Sequence, residues 1–568
     1  MTVTLRCLRW VLLLASLPLL SAGAFAQSSL GRLDFPTSGS PPAQAHFLRG
    51  VLALHSFWFE EALDEFRAAT RLDPGFAMGY WGEAMAHNHP LWAEQNAPAA
   101  REALRKIRGV EQLTPRERDY IEAVKLLYGA GDKLSRDLAY SAAMEKLCRQ
   151  FPDDLEAAAF YSLSLLGAVR PDDKGFRRQM QAGAIALEIF AKNPDHPGAA
   201  HYIIHAFDDP DHAVLALPAA RRYAGIAPEA HHARHMPSHI FLQLGMWPEA
   251  AASNESAWAA SVAWVERKKL PLALRDYHSL HWLAYVYFQQ GRRSRAEELL
   301  ALRRAALAEA LPRDSSQQFT SRPDRYYADM SAMLVIETGE WQRAAELFDP
   351  PENYSGRETP GAQHLHGAAP RSSAGGLPSH TQILAAFIRG LAAAGMGVLE
   401  MEKSIELLGK YHHATREAGD TSAARNAEIM QLEVAATARA FAKRYDDAIA
   451  VARLAVAREE ELPPPSGPPD LVKPSHELLG EILLMANRTK EALAQFHTSL
   501  SRQPNRALSL LGAARAAARL GDRPAAAAYY SALLDIWQQA DPQLPELREA
   551  RDFVSRTAAR STASPSSR

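Results

Sequence analysis

The chain is poor in the features that small exported proteins use for stability, and in those that mark a nucleic-acid partner. It has 2 cysteines in 568 residues. Cys7 lies in an N-terminal apolar segment, so Cys148 alone remains in the body of the chain, and no internal disulfide can form there. Stability must come from burial, for which this length is ample. Neither sign of charge is in excess: 63 basic side chains face 65 acidic ones, a net charge of −2. That leaves no basic footprint for nucleic acid and no attraction to an anionic membrane surface. Phosphate-cradling GxxxxGK[ST] and GxGxxG stretches, HExxH and CxxC pairs are absent. No nucleophile-elbow pattern surrounds Ser238, which sets a serine hydrolase aside.

Long apolar runs are also missing, with one exception. Val11 to Leu20 is apolar, follows Arg6 and Arg9, and precedes Ala24-Phe25-Ala26. This order predicts a signal peptide over 1–26 and export, to the periplasm or beyond. The run is shorter than the ~20 residues a membrane span needs. No other stretch approaches that length, so no membrane span is expected. The segment has no twin arginine and no cysteine at the cleavage site, so neither that export route nor a lipid anchor is indicated.

What the chain does contain is a repeat. With Ala43 as position 1 of a 34-residue unit, Gly50 falls at position 8, Ala62 at 20, Phe66 at 24, Ala69 at 27 and Pro74 at 32. With Lys473 as position 1, Gly480, Ala492, Phe496 and Pro504 fall on positions 8, 20, 24 and 32. Small residues at 8 and 20 let two helices approach closely, the aromatic at 24 fills the gap to the next unit, and the proline ends the second helix. Pro194 and Pro228 keep the 34-residue spacing, as do Ala216 and Ala250. Gly245, Gly291, Gly339 and Gly521 fall at position 15 of later units, where a turn needs a positive φ.

This pattern resembles the tetratricopeptide repeat (TPR) family. The resemblance implies an all-α solenoid of helical hairpins, about ten or more repeats, over most of residues 43 to 540. The HYIIH and HMPSHIF stretches, with ELLGE and PNRALSLLGAARAA nearer the C-terminus, are similar to a group of exported bacterial TPR proteins. The expected organisation is a signal peptide (1–26), an N-terminal linker (27–42), a TPR-like block with a His-rich inner face (43–349), a Pro/Gly/Ser-rich linker loop (350–379), a second TPR block (380–556) and a disordered tail (557–568). Residues 111 to 162 and 265 to 276 miss the period and read as irregular helices or lengthened hairpins. The Pro-rich run 463–469 reads as a shorter break.

Nine of the 21 histidines lie between 201 and 281, and their phase is informative. His201 and His205 are four apart and share a helical face. His235 and His239 repeat that pair 34 residues later, again at positions 5 and 9 of their unit. His278 and His281 take positions 2 and 5 of the next unit. The TPR resemblance implies that positions 2, 5, 9, 12 and 13 face the concave surface. Packed helices sit ~8–10 Å apart, so these six imidazoles should converge on one patch. Asp208, Asp209, Asp211 and Asp276 are candidate ligands or orienting partners. His55 and His89, both at position 13, should also face inward, as should Trp81 and Met85 at positions 5 and 9. These four, with Asp208 and Asp276, are candidate lining residues of a ligand groove. His212, His231 and His232 lack the inward phase and are expected at the surface; His364 and His366 fall in the 350–379 loop. Pro237, between His235 and His239, fits only the first turn of a helix.

For any single histidine, half-buried packing is the commoner explanation; a ladder of them at equivalent positions fits a bound metal, a peptide- or anion-binding groove, or packing alone, and the repeat evidence itself speaks for the scaffold class. Imidazole-rich ligation suits Zn, Cu, Fe or Ni and disfavours Mg and Ca. Two functions remain. One is a binding or scaffold protein whose concave face takes a protein or peptide. The other is a metal-dependent enzyme, a hydrolase or oxidase, with its centre on that face. Metal content separates them.

Overall fold

The structure, a computed structural model, describes residues 30–170, 175–310, 321–348, 377–395 and 401–562. The expected signal peptide, His364, His366 and nearly all of the 350–379 loop lie outside these residues. Among the described residues the architecture is all-α apart from a two-residue ladder that pairs Asn88–His89 with Glu94–Gln95. Each helix packs on the next as a hairpin, from Pro41–His55 against Phe59–Leu72 to Arg523–Ile536 against Pro545–Thr562. None is long and apolar enough to cross a membrane.

The packing explains the repeat. A Cβ on Gly50 would meet the Phe66 ring at 2.7 Å, and one on Gly82 would meet the same ring at 2.3 Å. Position 8 of one unit and the matching glycine of the next therefore clamp the position-24 aromatic from both sides. The C-terminal copy is the same: Gly480 and Gly512 would meet Phe496 at 2.8 and 2.4 Å. Phe66 and Phe496 are fully buried. The TPR-type hairpin thus follows from the chain's own contacts.

Several expected boundaries move. The described part of the N-terminal linker is not a free spacer: Leu30 and Phe35 are fully buried, and Phe35 packs among Phe47, Trp81 and Tyr120 at ring distances of 5.2, 5.8 and 5.0 Å. The Arg32 N–H donates to the Asp195 carbonyl (2.9 Å). Residues 111 to 162 form ordinary hairpins from Pro115–Leu127, Lys133–Gln150 and Leu155–Gly167. The helix Trp247–Lys268 is lengthened, as the period break suggested, and Pro545–Thr562 runs past the expected tail boundary at 557.

The two blocks meet. Gly245 and Gly291, both at positive φ, make turns on which the C-terminal hairpins rest. Trp247 Nε1–H donates to the Asn505 carbonyl (2.9 Å), and Trp537 Nε1–H to the Gln289 carbonyl (3.0 Å). Between them Arg506, fully buried, is held by Glu477 and Glu337 at 2.8 Å each. The inner face of the N-terminal block is filled by packing, which sets the environment of the histidines.

Candidate metal centre

Three inner helices carry the histidines. Pro197–Ala206 starts with proline in its first turn, and the His196 side chain caps it by accepting the Ala199 N–H (3.1 Å). The next inner helix is broken: His231–His235 ends at Met236 and Pro237–Gln243 begins anew. The third, Tyr277–Gln289, is capped by Asp276, which accepts the Ser279 N–H (3.0 Å).

Among the described residues, three groups of side chains could hold a metal ion: His201, His205 and His232; His235, His239 and His278; and His55, Glu156 and His196. In the first, His201 Nε2 lies 3.0 Å from His205 Nε2 and 3.1 Å from His232 Nε2. In the second, His235 Nε2 and His239 Nε2 are 3.2 Å apart, and the His278 ring is centred 4.6 Å from that of His235. Imidazole nitrogens bound to one tetrahedral ion at ~2.0–2.1 Å lie roughly 3.3 Å from each other, so the spacing fits a shared ion.

The opposite ring nitrogens set what these contacts are. His201 Nδ1–H donates to the His55 carbonyl (2.7 Å). His239 Nδ1–H donates to Asp208 Oδ2 (2.7 Å). His235 Nδ1 meets Asn254 Oδ1 at 2.7 Å, and the Asn254 amide is oriented by its NH2 donating to the Ala250 carbonyl (2.9 Å), so the ring must donate here too. Burial pushes the pKa of His201 and of His235 down to about 3, so both rings are neutral at neutral pH, and with Nδ1 donating each presents a bare Nε2 lone pair. His235 turns that lone pair toward His239 Nε2, and His201 turns its own toward His205 and His232. An ion shared by the converging nitrogens would satisfy these contacts.

The third group is built differently. His196 Nδ1 is already occupied by its cap, so Nε2–H donates to Glu156 Oε1 (3.0 Å). His55 Nδ1 accepts from the Tyr202 hydroxyl (2.7 Å), and its Nε2–H donates to Glu156 Oε2 (2.7 Å). Burial alone would raise the Glu156 carboxyl, but the neighbouring His196 and His55 rings outweigh it and hold it at about 2. Burial also pushes His55 below its ordinary value. Two neutral rings donating into one ionised carboxylate satisfy every bond. The group fixes the end of Pro41–His55, and with it the carbonyl that orients His201.

The structure brings together five of the six histidines the repeat phase singled out, and corrects the rest. His232, expected at the surface, is buried and completes the first triad. His231 is buried too, against Asp276 (3.2 Å) and Trp58. His281 leaves the cluster: it faces Asp329 at 3.9 Å, which His380 binds at 2.7 Å, and both its ring nitrogens are buried without a hydrogen bond. His55 touches the centre only through its carbonyl. His89 stacks on Phe59 (3.9 Å) beside Glu94, away from both triads. Trp81 is core, not groove, between Phe35, Phe47 and Phe160, and Met85 packs under the Tyr140 hydroxyl. Asp208 orients His239 as anticipated, whereas Asp276 serves His231 and its own helix cap. Asp209 binds the partly exposed His212 (2.8 Å).

Two signals could have found His232: it precedes His235 by three residues and His239 by seven, a helical stripe, and with His235 at position 5 it takes position 2, as His278 does in the next unit. Aromatic rings close the site: Phe57 lies 4.3 Å from His201, and Trp282 4.2 Å from His239. The Pro-rich run 463–469 covers Trp282, with Gly467 directly against its ring, and the Pro465 carbonyl accepts from Gln243 (3.0 Å), which also reaches Asp208.

No family model and no curated protein matches the chain. Solved structures do. The human IFIT1 dimer with m7Gppp-AAAA shares 13% identity over 89% of this chain and 92% of that one, with a TM-score of 0.31. Yeast Tom70 shares 12% over 92% and 89%, with a TM-score of 0.31. The TPR domain of P58(IPK) shares 14% over 72% and 99%, with a TM-score of 0.21. Superpositions this loose carry no argument about shape or ligand. The chain is similar to these in being a run of helical hairpins.

Proposed function

We propose that this chain is an exported helical-repeat metalloprotein, and that its inner wall holds a transition metal, one of Zn, Cu or Fe, on His201, His205 and His232 and on His235, His239 and His278. The observation that carries this reading is the approach of His235 Nε2 and His239 Nε2 to 3.2 Å, each ring held through Nδ1 by an acceptor on its far side. Orienting acceptors of this kind are what metal-bound imidazoles have. Three protein donors per ion leave a coordination position open, the arrangement that permits hydrolytic or oxidative chemistry.

The solenoid is then a scaffold for the centre rather than an open groove. His201 and His235 are fully buried, so a protein or peptide partner would dock on another face of the superhelix. Elemental analysis of the purified protein tests the proposal. Bound transition metal should survive dialysis, and His201→Ala combined with His239→Ala should remove it while the helical circular dichroism persists. Metal-free protein whose melting temperature ignores added Zn, Cu and Fe would defeat it.

A further inference from the structure

Resting on the metal reading above, we propose that the two histidine triads form a single centre holding a pair of copper ions, loaded as Cu(I). Contiguity is the first argument. The five-residue helix His231–His235 supplies one ligand to each triad, His232 to one and His235 to the other. Their rings are centred 6.0 Å apart, and His205 and His239, again one from each triad, are 5.9 Å apart. Two ions held by these sets are neighbours, with no residue interposed along that helix except Ala233 and Arg234.

Charge is the second argument. Every donor in the two triads is imidazole, an uncharged ligand. Of the neighbouring carboxylates, Asp208 is spent on the far nitrogen of His239 at 2.7 Å, and Asp276 on His231 at 3.2 Å and on its helix cap. Two divalent ions would bring four positive charges into this pocket with no anionic ligand. The walls are apolar: Phe57 stands against His201, His205 and His232 at 4.3, 5.8 and 5.7 Å, and Trp282 against His239 and His235 at 4.2 and 4.9 Å. Burying uncompensated charge among such groups is costly. Monovalent copper halves that charge, is satisfied by three nitrogen donors, and is held well by imidazole. Zinc and iron pairs call for carboxylates that these triads do not offer.

The test uses the full-length protein, stripped with a chelator and reloaded anaerobically with Cu(I). Two copper ions should bind per chain, and a tenfold excess of zinc should not displace them. Ferricyanide then takes one electron from each ion, consuming two equivalents per chain and leaving two Cu(II). Because neighbouring Cu(II) ions couple, the electron paramagnetic resonance signal should integrate to well below the copper present. His205→Ala and His278→Ala, half-buried ligands from different triads, should each bind one copper with a full, isolated signal. His281→Ala, outside both triads, should keep two coupled ions. One ion per chain, two uncoupled copper ions, or displacement by zinc overturns the copper pair while leaving the metal reading intact. Failure to bind any transition metal overturns both. If the ligand variants do not fold, the copper count and signal of the unaltered protein still decide.

Discussion

Two histidine clusters lie side by side on the inner wall, and they differ in where the second ring nitrogen points. At His55, Glu156 and His196 the bonds close on themselves: the rings donate into a carboxylate and accept from Tyr202 and a helix-capping N–H. At His201, His235 and His239 the acceptors stand behind the rings, and the Nε2 atoms face other imidazole nitrogens. Both clusters are buried and both are rich in histidine. Burial and composition therefore do not distinguish the two; the direction of hydrogen bonding does. The two are also linked, since the His55 carbonyl held by the first cluster orients His201 in the second.

The sharpest break in that comparison is to delete a ring from each cluster. His235→Ala should empty its triad of metal, whereas His196→Ala should leave metal content unchanged and lower stability; elemental analysis with thermal melts reads both. Loss of metal from both variants would erase the distinction. Saturating metal should raise the stability of the unaltered protein by about 4 kcal/mol at a thousandfold excess over Kd, seen as a higher Tm, and should do nothing for a variant lacking both triads.

Removing a carboxylate instead of a ring gives smaller effects. Glu156→Gln turns one acceptor into a donor facing an N–H, which should cost about 1–3 kcal/mol in denaturant unfolding. It should also change the acid limb. Glu156 is held at about 2 in the folded chain against 4.5 unfolded, so its contribution is fully present above pH 4.5 and is lost as pH falls toward 2. The variant should be flatter over that window and parallel to the parent above it. Asp208→Ala removes the orienting acceptor of His239 and one acceptor of the Gln243 amide. Metal should still bind, with affinity reduced roughly 10–100-fold by competition with a chelator, and without change in stoichiometry.

Much of this was legible in sequence because the repeat fixes the phase. Gly50, Ala62 and Phe66, matched by Gly480, Ala492 and Phe496, gave the hairpin, since only a small residue fits against the position-24 ring. His201 with His205, and His235 with His239, lay one repeat apart, and their ring nitrogens do come within reach of each other. His232 was legible too: with His235 at position 5 it stands at position 2, the position of His278 in the next unit, and helical φ and ψ at Met236 keep that phase. What the period could not carry was departure from it. His281 has the same phase as His201, yet helices from Asp329 and His380, far along the chain, take it elsewhere. Trp81 has an inward phase, but Phe35 and Phe160 pack against it, and Met85 faces a small cavity that Tyr140 and Phe160 also line. Such contacts between distant segments leave no local periodicity to read.

X-ray absorption at the edge of the bound metal tests the central claim most directly. A first shell of imidazole nitrogens at ~2.0–2.1 Å, three from the protein for each ion, is the predicted result. A shell dominated by oxygen, or one unchanged when His201 and His235 are both replaced by alanine, would contradict it.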